Sequence, residues 1–225
     1  MNLKKVLIVS GGSGSSFLYK SLNKKNNLII NFLINLYDDG KSTGKLRSYF
    51  DYHILGPSDL RKLQALSFNT SNQSNKNINF FKSRINSKIF NTKKNIIDKN
   101  LSNKINKRLN IKFLPKEIQT YIKKALNLFF YSKKKLDYKD ISLANLVYAY
   151  LANKYSSYNI VESKIRKIFK IKNKVFFNDC NNLFLFAISK NGKIIKNEEM
   201  IVNYNNLVKL KDIYFFKKFL SENEI

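Results

Sequence analysis

Hydrophobic and polar positions change rhythm several times along this chain. Val6-Leu7-Ile8-Val9 is a short continuous apolar run, as expected of a strand buried on both faces. A glycine and serine turn follows from Ser10, and Phe17, Leu18 and Leu22 then fall at helical spacing, predicting a helix over 15–24. A second apolar strand is predicted over 28–36, ending in Tyr37-Asp38-Asp39-Gly40. Such a β-turn-α-β unit is right-handed almost without exception and usually opens a parallel sheet.

The next stretch, 41–59, reads as loop because it carries Gly44, Gly56 and Pro57. Leu60, Leu63, Ala65 and Leu66 predict a helix capped by Ser58 or Asp59. From about residue 69 to 115 the pattern turns polar, with Phe80-Phe81 and Ile96-Ile97 as apolar islands, and reads as a helical insertion. Helical periodicity returns over 115–131, 141–154 and 160–169. Strands are expected at 174–177 and 183–188, and Asn191-Gly192 marks a hairpin into 193–195. The tail, 207–220, is predicted to be an amphipathic helix. The whole reads as one Rossmann-like α/β domain over 1–225, with a mostly parallel sheet flanked by helices and a polar insertion.

Composition changes this picture in two ways. At 44% hydrophobic and 14% aromatic, the 225 residues can bury a substantial core. The 42 basic against 15 acidic residues give a net charge of +27 and suggest an anionic partner. However, 37 of the 42 are lysine, and asparagine appears 32 times, as in the product of an AT-rich genome. That weakens a nucleic-acid reading. One cysteine, Cys180, cannot form an internal disulfide, which fits a reducing cytoplasm. With a single histidine, His53, no zinc cluster is expected, nor haem or iron–sulfur ligation. No apolar run is long enough for a spanning helix, and the N-terminus does not read as a signal peptide, so a cytoplasmic protein without a membrane partner is expected.

Three segments carry candidate chemistry. Gly11, Gly12, Ser13 and Gly14 join a strand to a helix, where free N–H groups and the helix dipole suit a phosphate. The fingerprint is incomplete, since Phe17 stands where a third glycine belongs and no Walker lysine follows. Asp38 and Asp39 end the second strand, where open α/β sheets bind ligands. Adjacent residues leave a strand pointing in different directions, so one could hold a hydroxyl while the other holds Mg²⁺ or orders the loop. Ser42, Thr43, Gly44 and Arg47 follow, with Lys41 and Lys45, as a phosphate-friendly set. The third segment is Pro57-Ser58-Asp59-Leu60-Arg61, in which Arg61 is one of only five arginines.

These segments resemble those of a known family. The first turn is similar to Gly-Gly-Gly-Thr-Gly, and Asp38 to Arg47 resembles D-D-G-G-S-S-G-R-L-R. Pro57 to Arg61 resembles P-G-D-I-R, Ser142 to Leu146 the helix start H-S-x-G-N-L, and Asn191 to Ile201 the hairpin D-G-x-x-V-x-G-E-x-x-I. Together they resemble the CofD-like family, which holds 2-phospho-L-lactate transferases and the YvcK gluconeogenesis factors, and the acidic segment is worded as in the latter. Several positions depart: Lys41, Ser58, Ala144 and Asn197 stand where the family has glycine, and no Gly-Pro-Gly-Ser loop from its C-terminal part occurs.

The resemblance implies a Rossmann-like fold binding a phosphorylated nucleotide ligand, a UDP-sugar in the YvcK group, with a regulatory role in cell-envelope or carbon metabolism. By position, Gly11 to Gly14 would face phosphates. Asp38 and Asp39 would hold a hydroxyl or a metal, Asp38 taking Mg²⁺. Ser42, Thr43 and Gly44 would line the pocket, with Arg47, Asp59, Arg61 and Asn145 around it. The alternative is a transferase moving a phospho-carboxylate group from a nucleotide carrier to a hydroxyl, with Asp39 assisting deprotonation. A basic nucleic-acid binder is a third reading. A homo-oligomer is compatible with all three.

Overall fold

The computed structural model describes residues 2–10, 14–35, 38–70, 75–85, 111–177, 183–196, 198–204 and 210–217. Strand β1 (Lys4–Ser10) runs parallel to β2 (Leu28–Ile34), with Lys4 opposite Leu28 and Ser10 opposite Ile34. Helix α1 (Ser15–Leu22) makes the crossover between them. Much later in the chain β3 (Val175–Phe177) joins the free side of β2, again in parallel, giving the order β1-β2-β3. The period-two alternation is visible in burial: Ile30, Phe32 and Ile34 are buried on the face under α1 and α3 (Ser58–Thr70), while Leu7, Val9 and Ile29 on the other strand positions are exposed.

The helical layer explains most of the core. Helix α6 (Leu143–Tyr155) is buried almost all round, as its run of nine buried residues from Leu143 to Ala152 requires. Helices α4 (Asn75–Lys82), α5 (Lys116–Tyr131) and α7 (Tyr158–Ile168) pack beside it, and a short 3₁₀ turn spans Ile111–Phe113. The aromatic islands belong here. Phe80 and Phe81 are buried, with Phe81 4.8 Å from Phe169 and 5.8 Å from Phe68 between ring centres. The described ends of the expected polar insertion therefore contribute Ile78, Phe80, Phe81, Ile111 and Leu114 to the core; Ile96-Ile97 lie outside the described residues.

A second, antiparallel sheet has β4 (Phe184–Ser189) between β5 (Ile194–Lys196) and β6 (Leu210–Phe216). Gly192 closes the β4–β5 hairpin at φ 80°, the left-handed conformation that glycine adopts at no steric cost. A short helix, α8 (Glu198–Val202), follows.

Two expectations differ from the structure, and one element is additional. The stretch beginning at Lys41 is not loop throughout: helix α2 covers Lys41–Tyr49. Its glycine suggested a break, but the buried positions Ser42, Thr43, Leu46, Arg47 and Tyr49 recur at helical spacing, and packing of that face overrides propensity. The tail is strand β6, not a helix, because its apolar run is β-branched and aromatic and finds β4 as a partner. Helix α8 was not anticipated at all. Among the described residues no helix is long and apolar enough to cross a membrane.

Candidate functional site

Strand β2 delivers Asp38 and Asp39 to the carboxyl edge of the parallel sheet, and the two side chains diverge. Asp38 turns toward a cleft: its Oδ1 accepts the Gly40 N–H at 3.2 Å and its Oδ2 accepts the Thr43 hydroxyl at 3.2 Å. Asp39 turns the other way and accepts the Glu198 N–H at 2.9 Å. Two glycines make this close packing possible. A Cβ on Gly44 would lie 2.1 Å from the Asp39 carbonyl oxygen, and one on Gly56 would lie 2.0 Å from Thr43 Cγ2. Lys41, which stands where the family motif has glycine, sits at φ 45°, a conformation that disfavours a side chain.

Below the cleft lies a buried hydroxyl and amide network. Thr43 Oγ1 is 2.6 Å from Ser58 Oγ, and the Asn145 amide donates to Ser58 Oγ at 3.1 Å and Ser42 Oγ at 3.3 Å. Asn145 itself is held because its N–H caps onto the Ser142 hydroxyl at 3.1 Å. Arg47 is fully buried and gives its donors to two carbonyls, Asp38 O at 3.2 Å and Leu183 O at 3.0 Å, with its guanidinium 4.7 Å from the Phe184 ring centre. Arg47 and Asn145 thus sit beneath the cleft wall and support it.

The cleft has a volume of about 460 Å³. Its lining combines the cations Lys41, Arg61, Lys62 and Arg84 with the carboxyls of Asp38 and Glu198 and the hydroxyls of Ser42, Thr43 and Ser58. Arg61 is anchored by donating to Phe81 O at 2.6 Å, and its Nε is buried without a hydrogen-bond partner. Arg84 is anchored on Asp140 O. Asp59, at the start of α3, pairs with Lys62 at 2.7 Å instead of lining the cleft. Lys45 pairs with Asp137 at 2.6 Å on the surface. Gly14 stands at the start of α1; Gly11, Gly12, Ser13 and Cys180 lie outside the described residues.

The carboxylates are electrostatically loaded. Burial, then the nearby Asp59, raises the Asp38 pKa above the ordinary carboxylate value, against the hydrogen bond from Gly40. Burial raises Asp39 too, opposed by the Glu198 N–H and the Arg47 charge. Glu198 is pushed up to about 7, by burial first, then by the charge of Asp38 and a side-chain hydrogen bond with it. Between its ordinary range and about pH 7 the folded protein therefore holds a proton that the unfolded chain has lost, so this group favours folding less as pH rises. Glu198→Gln should accordingly gain stability relative to the wild type between pH 5 and pH 8. Urea unfolding of both proteins across that range checks this, and a constant difference between them would refute it.

Glu198, Lys62 and Arg84 were not expected as site residues. Glu198 lies within the hairpin motif, yet nothing in its spacing places it beside Asp38; that requires α8, packed on β4 and β5, to meet the segment that follows β2.

A parallel α/β sheet flanked by helices, with a charged cleft at its carboxyl edge, is a Rossmann-like architecture. The chain belongs to the CofD family, whose model, described as 2-phospho-L-lactate transferase CofD, matches residues 6–218. Its fold is similar to that of a UPF0052-family protein from Bacillus halodurans, solved in two crystal structures. One matches with a TM-score of 0.61 and the other with 0.62, each at 19% identity. Both matches cover 96% of this chain and 51% of the solved one, so the chain spans about half the length of these relatives. No curated protein matches the chain.

Proposed function

We propose that this chain binds a phosphorylated nucleotide ligand, a nucleotide sugar, in the cleft beside Asp38, and serves a regulatory role in cell-envelope or carbon metabolism. The observation that carries the reading is that one cleft is lined both by basic side chains, Arg61, Lys62 and Arg84, and by carboxyls, Asp38 and Glu198. A diphosphate suits the first, because arginine donors match phosphate oxygens. A sugar or ribose hydroxyl suits the second, because a carboxylate accepts its hydrogen bond.

The carboxyls of the cleft also bear on Mg²⁺. Among the described residues no group of three or more His, Cys, Asp or Glu is arranged to hold a metal. Asp38 and Glu198 offer two carboxylates, which is the donor set of a Mg²⁺ shared with ligand phosphates and water rather than of a dedicated protein cage. When bound, such an ion screens phosphate charge.

The raised pKa of Asp38 and Glu198 favours a second reading, a transferase of the kind the family model describes, acting on a hydroxyl acceptor. In that case the carboxylate pair would take up the acceptor's proton.

Calorimetric titration with UDP-N-acetylglucosamine, GTP and a short DNA duplex separates the classes. Saturable binding of a nucleotide, weakly dependent on salt, is expected. Duplex binding that falls steeply with salt, with no response to either nucleotide, would identify a nucleic-acid binder instead.

A further inference from the structure

We propose that Asp39 is a positioning residue, which clamps helix α8 to the edge of the parallel sheet and so holds Glu198 in the cleft without itself touching the ligand. The bond concerned joins distant parts of the chain: Asp39 Oδ1 accepts the N–H of Glu198, the first residue of α8, at 2.9 Å. Asp39 is not among the cleft-lining residues, whereas Glu198, Val202 and the following Asn203 are. One wall of the cleft therefore comes from the antiparallel unit and is tied to the parallel sheet through this carboxylate.

Two further features fix the clamp. Arg47 spans the same junction one residue away, donating to Asp38 O and to Leu183 O just before β4. Gly44 lets α2 pass against the Asp39 carbonyl, since any side chain there would strike it at 2.1 Å. The backbone of Asp39 is thus held from below while its carboxylate faces α8.

What the clamp presents is Glu198, whose carboxyl lies in the cleft in hydrogen-bond contact with that of Asp38. A hydroxyl on the bound ligand would meet these two carboxyls side by side. This consequence rests on the nucleotide-sugar reading; the clamp itself rests on the fold alone.

The test compares Asp39→Asn with Asp39→Ala. Asparagine keeps a side-chain oxygen that accepts the Glu198 N–H but removes the charge; alanine removes both. Hydrogen exchange at residues 198–203 should stay near wild type in Asp39→Asn and speed up by about tenfold in Asp39→Ala, the size of effect one lost hydrogen bond gives. Affinity for UDP-N-acetylglucosamine should follow the same order: close to wild type for asparagine, about tenfold weaker for alanine.

Unchanged exchange at 198–203 in Asp39→Ala would overturn the clamp. Equal loss of binding in both variants would also overturn it, because that pattern marks a role for the charge, as in metal ligation or proton transfer. Should Asp39→Ala not fold, Asp39→Asn alone decides, since a clamp predicts retained binding and a charge role predicts its loss. If the wild type binds no nucleotide, the ligand reading fails while the exchange result still judges the clamp.

Discussion

Replacing Arg47 with leucine is expected to lower the unfolding free energy by about 3 kcal/mol, the cost typical of removing one partner from a buried charged contact. The side chain is fully buried, and its two donors satisfy carbonyl oxygens on opposite sides of the junction between the two sheets. Leucine fills part of the volume but leaves both oxygens without that donor and removes the guanidinium from the Phe184 ring. Desolvation already pulls the Arg47 pKa below the usual arginine value, with Asp39 and Asp38 pulling it back up. The guanidinium stays charged, because arginine does not deprotonate in proteins. Urea unfolding checks the expectation; a loss below about 1 kcal/mol, the scale of an ordinary surface change, would mean that the strut is dispensable.

The second large effect concerns binding. Arg61→Ala should weaken the nucleotide-sugar ligand by about 30-fold, equivalent to about 2 kcal/mol, as expected when a charge-assisted phosphate contact is lost. Arg61→Lys should recover only part of that, since an ammonium keeps the charge but not the planar fork. Arg61 is held in place by the Phe81 carbonyl, and burial lowers its pKa, so it is both anchored and partly desolvated before a ligand arrives. A preorganised cation of that kind contributes more than a flexible surface lysine. Its cost to stability should be smaller than that of Arg47→Leu, because one backbone hydrogen bond is lost instead of two.

Much of the fold was readable from local pattern. The β1–α1–β2 unit, helices α3, α5, α6 and α7, and the Asn191-Gly192 hairpin each announce themselves by period, cap or turn residue. Helix α2 did not, since Gly44 signals a break unless one knows that the Asp39 carbonyl needs the space. Strand β6 did not either, because a run such as Ile213-Tyr214-Phe215-Phe216 fits a helix or a strand until its partner β4 is known. The site divides in the same way. Asp38, Ser42, Thr43 and Arg61 lie close together in sequence and come together at one sheet edge. Local pattern does not reveal that Arg47 and Asn145 lie beneath that edge while Glu198 arrives from the antiparallel unit. Depth and tertiary return are not encoded in spacing.

The +27 charge needs similar care. Lys45 is paired with Asp137 and Lys134 with Asp51 on the surface, away from the cleft lining. Of the basic residues that line the cleft, Arg61 is anchored by the Phe81 carbonyl and Lys62 is paired with Asp59.

The central claim is that the cleft recognises a phosphate through Arg61. Titrating wild type and Arg61→Ala side by side with UDP-N-acetylglucosamine, with thermal unfolding confirming that both are folded, tests it most directly. Saturable binding by the wild type and binding about 30-fold weaker by the variant is the predicted result. Equal affinity in the two proteins would contradict it.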